Sequence, residues 1–155
     1  MIKILFVCHG NICRSPMAEY ILKDMVTARG LEAEYRVDSA ATSREEIGNP
    51  VYPPAKAELR RHGIACEGHR ARQVRPEDYG EYDLIIGMED RHVRLLRERF
   101  FNGDPEGKVH LCMELAGEPG VQVEDPWYTG DFAGVYDQLY RACKGILESG
   151  FSGTC

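Results

Sequence analysis

The feature that most constrains this chain stands at its start. The apolar run "IKILFV", residues 2–7, leads through "CHGNICRSP" into a stretch whose Ala18, Ile21, Leu22, Met25 and Val26 recur at helical spacing. A short, β-rich apolar run reads as a strand covered on both faces. Ser15 can cap the helix that follows, Pro16 suits its first turn, and Gly30 stops it. The same alternation continues. "YRVDS" reads as a second strand, "AKAELRRH" as a short helix ending at Gly63, and "YDLIIG" as a third, buried strand. An amphipathic helix is expected from about Asp90 to Phe100, and "KVHLC" is a weaker fourth strand. From Asp131 the spacing of Phe132, Val135, Tyr136, Leu139, Cys143, Ile146 and Leu147 marks a final helix with one apolar face. Alternating strands and helices define an α/β protein with a doubly wound parallel sheet and right-handed crossovers. Ligands in such sheets bind beyond the carboxyl ends of the strands. The segment 8–16 occupies such a place.

At 155 residues with 43% hydrophobic content, the chain suits a single domain over 1–150, with 151–155 as a loose tail. Nineteen basic against 25 acidic residues give a net charge of −6, which argues against nucleic acid or anionic membrane as a general partner. An anion site must therefore be local. The opening run is too short for a signal peptide, and no stretch approaches the ~18 apolar residues of a membrane span. The six cysteines are scattered in a chain with enough apolar residues to need no staples, so they read as thiols in a reducing, cytoplasmic setting. Cys66, Cys112 and Cys143 read as packing thiols, since no Cys/His cluster stands at metal spacing. His62, His92 and His110 read as surface or helix-end groups.

Backbone N–H groups of a loop between a strand end and a helix start can curl around one centre, to which the helix adds its partial positive end. Gly10 allows close backbone approach, and Asn11 tolerates the left-handed conformation a tight cradle needs. Arg14 supplies a planar fork for two oxygens of a phosphoryl group. A nucleotide-binding loop would place Lys before Ser or Thr, whereas here a Cys opens the loop. A thiol in that field is favoured as the thiolate, which makes Cys8 a candidate nucleophile. The Ser15 hydroxyl can hydrogen-bond its sulfur and assist it as a leaving group. Such chemistry still needs a proton for the leaving oxygen. In "EDPWY", Asp125 precedes a Pro that stiffens its turn, and Trp127 and Tyr128 follow as candidate walls for a flat substrate. The loop 40–54, "AATSREEIGNPVYPP", is long for a connection and is a candidate functional rim.

The sequence resembles the low-molecular-weight protein tyrosine phosphatases over nearly its full length. The resemblance rests on "FVCHGNICRSPMAE", "VDSAATSREEIGNP", "RRHGI", "ARQ", "EDPWY" and "VYDQLYRACKGILE", in that order. It implies a flavodoxin-like sheet of four parallel strands in the order 2-1-3-4, no metal or other cofactor, and two-step hydrolysis of phosphotyrosyl proteins or peptides through a phosphocysteine, releasing inorganic phosphate. A monomer or weak dimer is expected. Carried across, Cys8 is the nucleophile, Arg14 the phosphate clamp, and Asp125 the general acid and later the base. Residues His9, Gly10, Asn11, Ile12, Cys13, Arg14 and Ser15 surround the phosphate. Asn11, Ser15, Ser39 and His69 support the loop, and Cys13 is a second loop thiol able to join Cys8 in a reversible disulfide that protects it from overoxidation.

Two positions depart from the family. Glu45 stands where an aromatic wall residue is common, and His9 where an aliphatic or small residue often follows the nucleophile. An acid at the rim discourages acidic phosphopeptides. Three other functions compete. Arsenate reductases use a similar loop but relay oxidation through a further cysteine pair, and Cys66 has no near partner in the sequence. Arginine-phosphate hydrolases of the same fold typically carry Thr where this loop has Ile12. A non-enzymatic phosphate-binding module would need neither the thiol nor Asp125.

Overall fold

The structure, a computed structural model, describes residues 1–149. The expected tail at 151–155 lies outside the described residues. Four parallel strands, β1 (Ile2–Cys8), β2 (Tyr35–Ala41), β3 (Leu84–Gly87) and β4 (Val109–Leu111), form one sheet in the order β2-β1-β3-β4. In register, Cys8 pairs with Ala41 and Val7 with Gly87. The β1–loop–α1 junction therefore opens between two strands on the carboxyl edge, where the strand order reverses.

Alternate residues of β1 feed two cores. Ile4, Phe6 and Cys8 face α1 (Arg14–Ala28) and α6 (Phe132–Glu148), while Leu5 and Val7 join Ile85, Val93, Leu96 and Phe101 on the opposite face. Full burial of each large apolar side chain contributes about 1.5–3 kcal/mol, so a two-faced central strand anchors the molecule. Helix α2 (Pro53–Arg61) starts on its prolines, two residues before the expected "AKAELRRH". The expected helix 90–100 divides into α4 (Asp90–Leu95) and a π-helical turn, Leu96–Phe100. The wider turn brings Leu96 and Phe101, five residues apart, into the same core. Gly30 stops α1 with φ +68°. Two short helices were not evident from periodicity: α3 (Asp78–Glu81) and α5 (Pro126–Thr129). Each has four residues, barely one helical turn.

Helix α6 begins at its cap, Asp131, whose Oδ1 accepts from Gly134 N at 2.9 Å. It also packs on a 3₁₀ turn at Cys112–Ala116, where a Cβ on Gly145 would overlap the Leu115 carbonyl oxygen. Among the described residues no helix is long and apolar enough to cross a membrane.

One expectation about α1 is corrected. Ser15 does not cap the helix. The N-cap is Cys13, which makes no side-chain capping bond, and Ser15 lies inside the first turn. Its hydroxyl sits 3.0 Å from Cys8 Sγ, the contact expected of it. A capping oxygen would occupy the free helix-terminal N–H groups that an anion needs.

Candidate active site

Cys8 ends β1, and the seven-residue β1 delivers its sulfur to the floor of a pocket of about 220 Å³. Two polar groups meet Sγ: the Asn11 amide donates to it at 3.3 Å and the Ser15 hydroxyl lies 3.0 Å away. A buried network stands behind the second contact. Asn11 Nδ2 donates to Ser15 Oγ at 2.8 Å and to Ser39 Oγ at 2.9 Å, and Ser39 in turn donates to Glu19 Oε1 at 2.6 Å. Ser15 Oγ, which accepts from Asn11, keeps its own proton for Cys8 Sγ at 3.0 Å or the Ala40 carbonyl at 3.5 Å. Asn11 itself has φ +60°, the left-handed region expected for a tight cradle. Its Oδ1 accepts from Arg72 N at 3.2 Å, and its carbonyl accepts from His69 Nε2 at 2.8 Å. The loop's curvature is thus held from β2, α1 and the segment 69–72.

Arg14, only 2% exposed, lies in an acidic seat. Its Nη1 donates to Glu89 Oε2 at 2.6 Å and to the Val123 carbonyl at 2.8 Å, and Nη2 lies 3.6 Å from Asp125 Oδ2. Asp125 is the N-cap of α5, where Oδ1 accepts from Trp127 N at 3.0 Å and Oδ2 is left towards Arg14. Pro126 fixes that turn. Cys8, Arg14 and Asp125, far apart in the chain, therefore line one pocket, together with His9, Gly10, Ile12, Cys13, Glu45, Glu46, Trp127 and Tyr128.

Trp127 is 54% and Tyr128 82% exposed. Trp127 leans on Tyr52, with ring centroids 4.7 Å apart, and Tyr52 N donates to the Ile12 carbonyl at 2.8 Å. His9 and Glu45 meet each other across the rim, Nε2 to Oε2 at 2.9 Å. Burial, reinforced by the charges of Cys8 and Asp125, pushes the Cys13 thiol well above its ordinary range, so Cys13 stays protonated beside the nucleophile position.

Three participants escaped the sequence reading. Glu89 follows β3 at its carboxyl edge, which is the signal that marks it. Burial pushes its carboxyl up, but the hydrogen bond and charge of Arg14 outweigh this and hold it below the ordinary carboxylate range. Glu19 is a buried acid one helical turn beyond Ser15, and Glu46 lies against Gly10. Of the two places expected for His92, the helix end holds and the surface does not: it lies in the first turn of α4 and is 2% exposed. Its Nδ1 accepts from Glu89 N at 3.2 Å, closing a reciprocal cap at the start of α4. Burial first, then the charge of Arg14, pushes its imidazole down to about 3. His110 lies in β4, half-buried, and His62 caps the C-terminus of α2, stacked 3.6 Å from Tyr136. Cys66, Cys112 and Cys143 are buried free thiols, and the described residues hold no cluster of three or more potential metal ligands.

A thiol on a strand–loop–helix anion cradle, with a guanidinium and a carboxyl facing it across a flavodoxin-like sheet, defines the class of cysteine-dependent phosphatases. Known proteins agree in sequence and in shape. The model of the low molecular weight phosphotyrosine protein phosphatases matches residues 3–150. The human low molecular weight phosphotyrosine protein phosphatase is 41% identical over 154 residues, covering 94% of this chain and 93% of its own length. The crystal structure of YfkJ from Bacillus subtilis superposes with a TM-score of 0.92 at 37% identity, covering 96% of this chain and 94% of that one. An arginine phosphatase from Drosophila superposes with a TM-score of 0.88 at 30% identity, over 97% and 99% of the two chains. The chain belongs to the low-molecular-weight phosphotyrosine protein phosphatase family and is a cysteine-dependent protein tyrosine phosphatase.

Proposed function

We propose that residues 1–150 act as one phosphatase domain that hydrolyses phosphotyrosyl proteins or peptides, with Cys8, Arg14 and Asp125 carrying the reaction. The phosphoryl group enters the loop of residues 9–15, and Arg14 pairs two of its oxygens. Cys8 Sγ attacks phosphorus as the ester P–O bond breaks, and protonated Asp125 gives its proton to the departing phenolic oxygen. The products of this half are tyrosine and phosphocysteine. Asp125, now a carboxylate, takes a proton from water, whose oxygen attacks phosphorus. The S–P bond breaks, its electron pair returns to Cys8 as thiolate, and the Ser15 hydroxyl stabilises that charge. Inorganic phosphate leaves.

The observation that supports this reading is the meeting of Cys8, Arg14 and Asp125 in one pocket, with Asp125 Oδ2 3.6 Å from Arg14 Nη2. Phenyl phosphate should be hydrolysed without added metal. Cys8→Ser should abolish turnover, and Asp125→Asn should slow it mainly for poor leaving groups. Full activity in the Cys8→Ser protein would remove the mechanism.

Cys13 serves as the redox partner that protects oxidised Cys8 as a disulfide, His9, Glu45, Trp127 and Tyr128 form the substrate wall, and Ser39 and His69 brace the loop. The protein acts as a monomer or weak dimer, and its free buried thiols support a cytoplasmic setting. The similarity to an arginine phosphatase makes phosphoarginine the second substrate to test. Apolar Ile12 on the pocket wall supports the aromatic ester, and relative kcat/KM for the two phosphoamino acids decides.

A further inference from the structure

We propose that the mouth of this pocket selects phosphotyrosyl substrates with basic residues next to the phosphotyrosine, through Glu45 and Glu46; the inference rests on the phosphatase reading above. The two carboxylates are a built part of the rim. The 42–49 loop is tied to the catalytic loop, with Ser43 N and Oγ both donating to the His9 carbonyl at 3.1 and 2.9 Å. Its far side is pinned by paired backbone bonds, Gly48 N to the Ala71 carbonyl at 2.8 Å and Ala71 N to the Asn49 carbonyl at 2.9 Å.

Within that frame each acid has a set position. Glu45 Oε2 meets His9 Nε2 at 2.9 Å, and Glu46 Oε2 accepts from Asn49 Nδ2 at 2.5 Å. Glu46 also presses on the loop itself, since a Cβ on Gly10 would lie 3.3 Å from its Cγ. The neighbouring cation turns away: Arg44 Nε donates to Gln73 Oε1 at 3.0 Å, and Arg44 does not line the pocket.

The charge that remains at the opening is therefore acidic. Arg14, the one arginine or lysine lining the pocket, is buried and already paired with Glu89 at 2.6 Å. A phosphate dianion on the floor uses what Arg14 and the loop N–H groups offer. No positive field is left for acidic flanking side chains. When the phosphotyrosyl ring fills the pocket, the residues on either side of it cross the rim, where a Lys or Arg meets Glu45 and Glu46 and a Glu or Asp is repelled. Exposed pairs are individually weak, so the expected discrimination is about tenfold in kcat/KM between a basic-flanked and an acidic-flanked peptide at low ionic strength. It shrinks as salt screens the rim.

The test uses the whole protein and two phosphotyrosyl peptides, identical except for Lys or Glu on both sides of the phosphotyrosine. The kcat/KM ratio is measured at low salt and at high salt, for the wild-type protein and for Glu45→Gln/Glu46→Gln. Preference for the Lys peptide that falls with salt and collapses towards unity in the double variant supports the inference. Hydrolysis of both peptides with equal kcat/KM, or a preference the double variant keeps, overturns it while leaving the phosphatase reading intact. Hydrolysis of neither peptide overturns both.

Discussion

Arg14 Nη1 and Glu89 Oε2 lie 2.6 Å apart, joining the first turn of α1 to the cap of α4 across the carboxyl edge of the sheet. The pair holds one end of the guanidinium so that its other nitrogen faces Asp125 and the pocket. A planar fork is useful to a phosphoryl group only when its plane is fixed before the substrate arrives.

Glu89→Gln keeps the size of the side chain and removes its charge. Misplacement of a clamping group by about an ångström can cost as much as a hundredfold. We expect kcat/KM for an aryl phosphate to fall by about ten- to a hundredfold, with KM raised, in steady-state assays. Wild-type kinetics in this variant would show that Arg14 needs no such anchor.

Asn11 joins two serines, a backbone amide and a left-handed turn. Asn11→Ala leaves Ser15, Ser39 and Arg72 N short of a partner and keeps φ near +60° without a side chain to support it. Orphaned buried polar groups cost about 1–3 kcal/mol each, partly relieved by relaxation. We expect a loss of about 2–4 kcal/mol, read from the denaturant midpoint at unchanged slope.

His92 gives stability a pH dependence. Its imidazole is held down to about 3 in the folded protein, against about 6.5 in an unfolded chain. Between those values the unfolded chain binds a proton that the folded one excludes. Stability is therefore complete above about pH 6.5 and is lost as pH falls through this window, by up to about 1.4 kcal/mol per unit. The lowered carboxyl of Glu89 acts in the same direction at the acid end. Thermal melts of the wild type and His92→Asn between pH 7 and 5 should show the shallower slope in the variant. Parallel slopes would contradict a buried neutral imidazole.

Gly145 lies within α6, and helix propensity alone makes Gly145→Ala stabilising by about 1 kcal/mol. The Leu115 carbonyl occupies the space a Cβ would need, and backbone cannot swing aside as a flexible side chain can. We expect destabilisation of about 1–3 kcal/mol, with a matching drop in melting temperature. A more stable variant would mean that α6 and the 3₁₀ turn stand further apart.

The contrast between these residues shows where sequence reasoning stops. The cradle from Cys8 to Ser15 was legible because its parts are contiguous: an apolar run, a turn-tolerant Asn and a helical repeat carry their meaning within a few residues. Asp125 was legible through the Pro and aromatics beside it. Ser15 reads both as a cap and as a partner of the Cys8 sulfur; the second holds and the first does not, because the hydroxyl that meets the sulfur lies inside the first turn. His92 was legible as a helix-end group but not as a buried one, because Glu-x-x-His is not the usual polar pattern of a reciprocal cap and its burial depends on how α4 lies on the sheet.

The order of residues by itself determined the alternating α/β pattern, the thiol-bearing loop between a strand and a helix, and the stiffened turn at Asp125, because periodicity, turn chemistry and short-range spacing act along the chain. Only the tertiary structure decided that Glu89 seats Arg14, that Glu19 stands behind Ser39, and that Glu46 joins Glu45 at the opening. Those relationships are set by strand order and packing, which bring together groups whose separation along the chain says nothing about their distance in space.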